Sequence, residues 1–302
     1  MSQLSEKLKE KAKNELGETE ARKLQSLELF RDWLKKHPFI ESSEHEDFDI
    51  IPFLRSKKFS MQKSCEAFEE VAIFRDKYKE ILEIEESKVK ELLKYLELST
   101  VKITKIQNET DLRNVFVFTK NFTQTDISGE DFMRIFYIVN SMLYYEVKTQ
   151  INGFNLIIDC REIGMSFIKR FPIKIMHDGI KILSSFPFRV KSIIFIGVPA
   201  FAVAIYEAIF AMASSKIKKR IKLISDVMDL KNYFDISSLC ENYGGNDSNC
   251  ESVDDLKELI IEGFQKVAKF TKKSKINHKK YREFKGDEIS SIESFRHLEE
   301  ID

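Results

Sequence analysis

Glycine is scarce in this chain, ten in 302 residues, and none of the ten falls into a phosphate-cradling pattern. There is no Gly-x-Gly-x-x-Gly for a dinucleotide and no Gly-x-x-x-x-Gly-Lys-Ser/Thr for nucleotide phosphates. Cysteine is as sparse. Cys65, Cys160, Cys240 and Cys250 stand apart, with no Cys-x-x-Cys pair and no nearby histidine, which argues against a zinc site and a disulfide framework and for reduced thiols in core or loops. Net charge is missing too: 49 basic and 49 acidic side chains cancel, so no global field draws the protein to nucleic acid or anionic lipid, and recognition of a charged partner must be local. The N-terminus is a charged amphipathic stretch without the apolar h-region of a signal peptide, so the sequence is read as cytosolic.

What the chain does have is enough apolar residue, 43%, to build a large core. Up to about residue 98 the pattern is helical. Leu24, Leu27, Phe30 and Leu34 recur at three- and four-residue steps, as do Cys65, Phe68, Val71 and Arg75, and then Val89, Leu92, Leu93 and Leu96. His37-Pro38 breaks the first group, and Phe53-Leu-Arg-Ser-Lys-Lys-Phe59 reads as a short link before a helix capped by Ser60. The spacing predicts a helical bundle over 1–98.

From residue 99 to 248 the pattern becomes α/β. Short β-rich runs, Asn114–Phe118, Phe154–Ile158, Ile193–Ile196 and Ile221–Ile224, alternate with helical stretches near 129–148, 172–185 and 201–219. This predicts a mixed, mainly parallel sheet with right-handed crossovers. Residues 249–302 are expected to give one helix, about Val253 to Phe270, and a mobile Lys-rich tail.

The most telling segment is Phe201-Ala-Val-Ala-Ile-Tyr-Glu-Ala-Ile-Phe-Ala-Met-Ala213, a helix expected to start at Pro199, followed at once by Lys216-Ile-Lys-Lys-Arg220. Its apolar part, about 20 Å long at 1.5 Å per residue, is too short to cross a bilayer, which takes about 20 residues. A helix apolar nearly all round is buried on both sides, covers a greasy cavity, or meets lipid part of the time. Lys216 and Arg220, four apart, are neighbours if helical, and Arg189 and Lys191 alternate on the way into a strand. Four such cations suit a phosphorylated head group; solvated helix-end charges are the plainer account.

Enzymatic signals are weak. Gly164-Met-Ser166 lacks the second glycine of a nucleophile elbow, and His177 beside Asp178 has no nucleophile at a matching strand end. Asp159 follows a strand where open sheets bind ligands, but capping the next loop explains it equally well.

Taken together in order and spacing, five segments resemble the CRAL-TRIO lipid-binding family, in its tocopherol-carrier, retinaldehyde-carrier and clavesin branch. They are Phe53-Leu-Arg-Ser-Lys-Lys-Phe59, Asn152-Gly-Phe-Asn-Leu-Ile-Ile-Asp159, Ser185-Phe-Pro-Phe-Arg-Val190, residues 199–221, and Leu239-Cys-Glu-Asn-Tyr-Gly-Gly245. The resemblance implies a helical bundle packed on an α/β domain, a cavity for one hydrophobic molecule (a retinoid, tocopherol, sterol or similar lipid), and a mobile lid helix. By that resemblance the cavity is lined by Phe136, Asn140, Phe154, Leu156, Ile158, Ile182, Phe186, Val190 and Ile194, and the lid contributes Phe201, Ile205, Ala208, Ile209 and Met212. It also implies that Arg189, Lys191, Lys216 and Arg220 bind phosphatidylinositol bisphosphate and that release of cargo happens at membranes. No enzyme activity, cofactor, metal or nucleic acid is expected, and the protein is expected to be a monomer; an adaptor without cargo is the alternative. Two departures stand out: Cys240 replaces the family's usual proline and Asn242 its glutamate, and Ile196-Gly-Val-Pro199 lacks the usual asparagine before the lid.

Overall fold

In a computed structural model, which describes residues 4–42, 45–170, 186–211 and 213–285, the longer helices of the first part of the chain are α1 (Glu6–Leu16), α2 (Glu20–Lys35), α3 (Asp47–Ser56), α4 (Met61–Lys77) and α5 (Glu86–Leu93). The first two begin at Ser5 and Thr19, whose hydroxyls accept from the exposed amides of the first turn. Their apolar faces meet around Phe30, Phe53 and Phe68, all fully buried. The stretch read as a link from Phe53 to Phe59 is mostly helix. Its first four residues are the last turn of α3, and the chain reverses only at Lys58 and Phe59, both at positive φ (54° and 58°).

Five strands form the sheet: β2 (Val101–Ile103), β3 (Arg113–Phe118), β4 (Phe154–Asp159), β5 (Val190–Ile196) and β6 (Ile221–Ile224), in that spatial order. β2 is antiparallel to β3, and the other pairs are parallel. Both faces of the sheet are covered. On one side Val115, Val117, Phe154, Leu156, Ile193 and Phe195 join the main core with α6 (Gly129–Tyr145) and α7 (Ala200–Ala211). On the other, Phe116, Phe118, Ile157, Ile194 and Ile196 pack under Leu230, Leu239 and Tyr243, carried by short 3₁₀ turns.

This pattern corrects one expected cavity residue. Ile194 was placed on the same face as Val190, but a bulge sets Phe154 opposite Val190 and Asn155 opposite Ser192, leaving Lys191 as an extra residue. One inserted residue reverses the alternation. Ile193 and Phe195 therefore share the main-core face with Val190, and Ile194 points into the opposite layer.

The expected helix over 201–219 is two helices: α7 and a single turn, Ser215–Lys218, started by the Ser214 hydroxyl accepting from Ile217 N. Arg220 lies beyond that turn, so it and Lys216 do not share a helix face. Residues 172–185, expected as a helix, lie outside the described residues.

The C-terminal segment is more ordered than expected as far as residue 285. Helix α8 (Val253–Lys273) runs straight into β7 (Ser274–Ile276), which pairs antiparallel with β1 (Ile40–Ser42), and 278–285 are helical. α8 lies against α6 so closely that a Cβ on Gly263 would sit 2.6 Å from Met142 Cα and 2.7 Å from Met142 N. Backbone cannot retreat as a side chain can. We expect Gly263→Ala to lower stability by about 1–3 kcal/mol, seen as a lower urea midpoint; an unchanged midpoint would mean that the two helices do not touch here.

Candidate functional site

Between the main-core face of the sheet and α6 lies a cavity of about 30 Å³ lined by Val115, Val117, Phe136, Asn140, Phe154 and Leu156, among others. A second, of about 10 Å³, is lined by Arg75, Tyr137, Asn140, Tyr144, Phe186 and Phe188. Asn140 belongs to both, and its Nδ2 donates to Phe136 O at 2.6 Å, one turn back on α6. A water occupies about 10–15 Å³ on this measure, so these two voids hold a water or two and no lipid.

The structure thus brings Phe136, Asn140, Phe154 and Leu156 around one void and Phe186 to its neighbour. Ile158 is half-buried against the same core, and Val190 is buried in it. Ile182 and Met212 lie outside the described residues. On α7, Tyr206 and Ile209 are buried, Ile205 is half-buried, and Phe201 and Ala208 face solvent. The helix packs on β5 chiefly through aromatic rings, with Phe195 centred 5.3 Å from Tyr206 and 5.0 Å from Phe210. Its one polar tie among the described residues is Tyr206 Oη to Cys160 Sγ, 3.6 Å.

Beside this layer the cations gather. Gly153, at φ 87°, lets the chain pass so close to β5 that a Cβ there would sit 2.3 Å from Arg189 O, and Phe154 N donates to that same carbonyl at 3.1 Å. Arg189 and Lys191 both reach Glu15 of α1, at 2.8 and 3.3 Å. Burial pushes the Glu15 carboxyl up, but Lys191, Arg189 and Lys11 outweigh it and hold it below the usual range. The Lys216 ammonium is pushed down to about 8, by burial first and then by Arg220, Lys57, Arg189 and Lys58. Arg220 is lowered by burial and by Arg189. Lys216 therefore feels the charge of Arg220 and Arg189 and of Lys57 and Lys58 from the turn after α3, while Lys191 meets Arg189 at Glu15. Sequence reasoning missed Lys57, Lys58 and Glu15, although both lysines stand inside a segment already singled out.

Other candidates resolve more simply. Asp159 accepts from Arg161 Nη2 at 2.7 Å, from Arg161 N at 3.2 Å and from Tyr243 Oη at 3.1 Å, and these donors hold its carboxyl below the usual range against the upward push of burial. It caps and pairs. Arg55, from the segment before α4, is an interior strut, forked onto Glu18 at 2.8 and 2.7 Å and onto Gln150 at 2.6 Å. His177 is outside the described residues. All four thiols are buried, but Cys240 and Cys250 meet with Asp247, their ligand atoms within 4.8 Å of one another. That donor set is incomplete for a metal, since the Asp247 carboxylate already takes Lys102 Nζ and Glu241 N.

Residues 98–245 match the CRAL/TRIO domain. The chain carries a CRAL/TRIO domain. Among curated proteins, it is 25% identical over 254 residues to the human alpha-tocopherol transfer protein-like protein (Homo sapiens), covering 80% of this chain and 71% of that one. To Clavesin-1 of Xenopus laevis it is 26% identical over 219 residues, covering 71% and 65%. Among solved structures, Sfh5 aligns with a TM-score of 0.45 at 11% identity, over 88% of this chain and 98% of that one.

The crowding of like charge has a measurable sign. With its folded value near 8 and an ordinary value of 10.5, Lys216 is protonated at neutral pH at a cost to the fold that declines between those two values, where the unfolded chain alone still holds the proton, and is gone above the upper one. Competitive acetylation across pH 6–11, read by mass spectrometry, should titrate Lys216 near 8, and Arg220→Ala should move that value up. An ordinary lysine titration would mean that the cations do not converge.

Proposed function

We propose that this protein binds one small hydrophobic molecule between the sheet and helices α6 and α7, and gives it up at membranes bearing phosphoinositides, where it associates peripherally from the cytosol, at endosomes or the plasma membrane. The observation that carries this reading is the meeting of Arg189, Lys216, Arg220 and Lys57 beside an apolar helix. Mutual repulsion in the empty site is relieved by a polyanion, and guanidinium and ammonium groups make short, charge-assisted bonds to phosphate oxygens. α7 supports the second half of the reading. Its outward face carries Phe201, 46% exposed, with Ala204, Ala208 and Ala211 and one charge, Glu207, so a bilayer offers its apolar part a partner that water does not. No helix of the described residues is long and apolar enough to cross a membrane.

The names of the relatives, one of them a tocopherol transfer protein-like protein, support a carrier. Chemistry at the sheet edge does not compete with it, because the strand-end carboxylate Asp159 is consumed by Arg161 and Tyr243. One observation is in keeping with the adaptor without cargo: each of the two voids lined by described residues is too small for a lipid.

Extraction of the purified protein with organic solvent is expected to yield one lipid per chain by mass spectrometry; an empty extract favours the adaptor. At the cation cluster, Arg189→Ala with Arg220→Ala should weaken flotation with phosphoinositide vesicles at least tenfold while lipid content is retained, and Glu15→Gln should strengthen it. Each phosphate contact to a charged donor contributes about 1.5–3 kcal/mol, so unchanged flotation would remove the head-group site.

A further inference from the structure

Three arginines are buried among the described residues: Arg55, Arg75 and Arg113, each 4% exposed. Two are fully paired. Arg55 forks onto Glu18, and Arg113 takes both Glu146 and Glu251. Arg75, on α4, is different: its Nε, Nη1 and Nη2 are all shielded from solvent and none has a hydrogen-bond partner. Its plane is sandwiched by rings, with Phe270 centred 4.4 Å and Phe186 5.3 Å from the guanidinium carbon. Ring faces attract a cation but accept none of its in-plane N–H bonds. The buried carboxylate beyond Tyr144 does not serve, since Asp49 is engaged by Lys273, Glu46 N and Tyr145 Oη. A desolvated cation without a counter-charge is one of the costliest arrangements a core can hold.

Arg75 also lines the smaller void, and that void adjoins the apolar one through Asn140. Aromatic contact runs along the same wall, from Phe186 to Phe188 and from Phe188 to Phe154. The two voids therefore have the polarity of an amphiphile: an apolar compartment against the sheet and, at its inner end, a positive fork with nothing to bind.

We propose that Arg75 anchors the charged head of the cargo, and that the cargo is a long-chain carboxylate. The inference rests on the carrier reading above and names its ligand class. A planar guanidinium takes a carboxylate in two parallel bonds. Among oxyanion heads the carboxylate is the smallest, and the space beside Arg75, about 10 Å³, is of one-water size, so a bulkier phosphate ester fits it least. The head enters as the Phe186 ring moves off the guanidinium.

The test compares oleic acid with oleyl alcohol, which share a chain and differ in the head, on the delipidated full chain at pH 8 by displacement of a fluorescent lipid probe. The acid should bind roughly tenfold or more tightly, the worth of one charged hydrogen-bonded pair, and Arg75→Met should bring the ratio near one while Arg75→Lys keeps part of it. Equal binding of acid and alcohol by the natural protein overturns the anchor and leaves the carrier reading standing, even where Arg75→Met does not fold. Binding of neither removes the carrier reading and the anchor with it. A ratio unchanged in Arg75→Met, tighter binding of lysophosphatidic acid than of oleate, or equal protection by acetate alone each overturns the assignment of a long-chain carboxylate to Arg75.

Discussion

Three parallel strands at the centre of this molecule are apolar on both faces, and the rest of the fold is arranged to keep both faces from water. Phe116, Ile157 and Ile194 on one side and Leu156, Ile193 and Phe154 on the other are essentially inaccessible. Parallel sheets need two covering layers for this reason. The layer beneath is filled economically by 3₁₀ turns that bring Leu230, Leu239 and Tyr243 against the sheet. The layer above is a long helix, α6, held in turn by α8 from outside, and the apolar α7 at the far edge. The upper layer is the one with voids. It is also the one whose outermost helix has few polar ties, so it is the face at which the packing can be exchanged for other apolar matter.

Charge is distributed with the opposite logic. Most interior ions are neutralised locally, as Arg55 is by Glu18, Arg113 by Glu146 and Glu251, and Asp49 by Lys273. Two places depart from that rule: the surface cluster around Lys216, where Arg220, Arg189, Lys57 and Lys58 add like charge, and the buried Arg75, whose guanidinium has no hydrogen-bond partner. Each lies next to an apolar compartment. The folded chain carries both costs in the absence of a partner, and unrelieved charge of this kind marks binding sites more often than scaffolding.

How much of this was legible depended on how local the cause was. The strands β3 to β5 were visible because burial on two faces leaves β-branched and aromatic runs, and the short edge strand β6 by its Ile221, Leu223 and Ile224. α3 was hidden by Pro52, which sits inside the helix, and by the Lys58–Phe59 reversal that follows it. The three-residue pairing of β1 with β7 joins residues more than two hundred apart and has too little pattern to announce itself. Arg75 fell on the apolar stripe of its helix by spacing alone, so its burial was readable, but its lack of a partner was a tertiary fact. Ile194 was misplaced because a bulge, invisible in the sequence, inverted the alternation along β5.

Helix α7 and the cation cluster make sense together rather than singly. Solvent-facing Phe201 and its alanine neighbours would be tolerated on any protein as scattered apolar surface, and Lys216 with Arg220 as ordinary solvated charge. The chain runs from one to the other within a few residues, through the Ser215–Lys218 turn, so one surface presents both. Water satisfies the cations only by screening them, and it does not satisfy the helix at all. On the proposed reading an anionic bilayer serves both: its phosphates offset the neighbouring cations that add to burial in lowering Lys216, and its acyl region replaces the Phe195, Tyr206 and Phe210 contacts that hold α7 on the sheet. Since a ligand shifts an equilibrium only by its preference for one state, the release of cargo proposed above requires that such a surface prefer α7 lifted from the sheet.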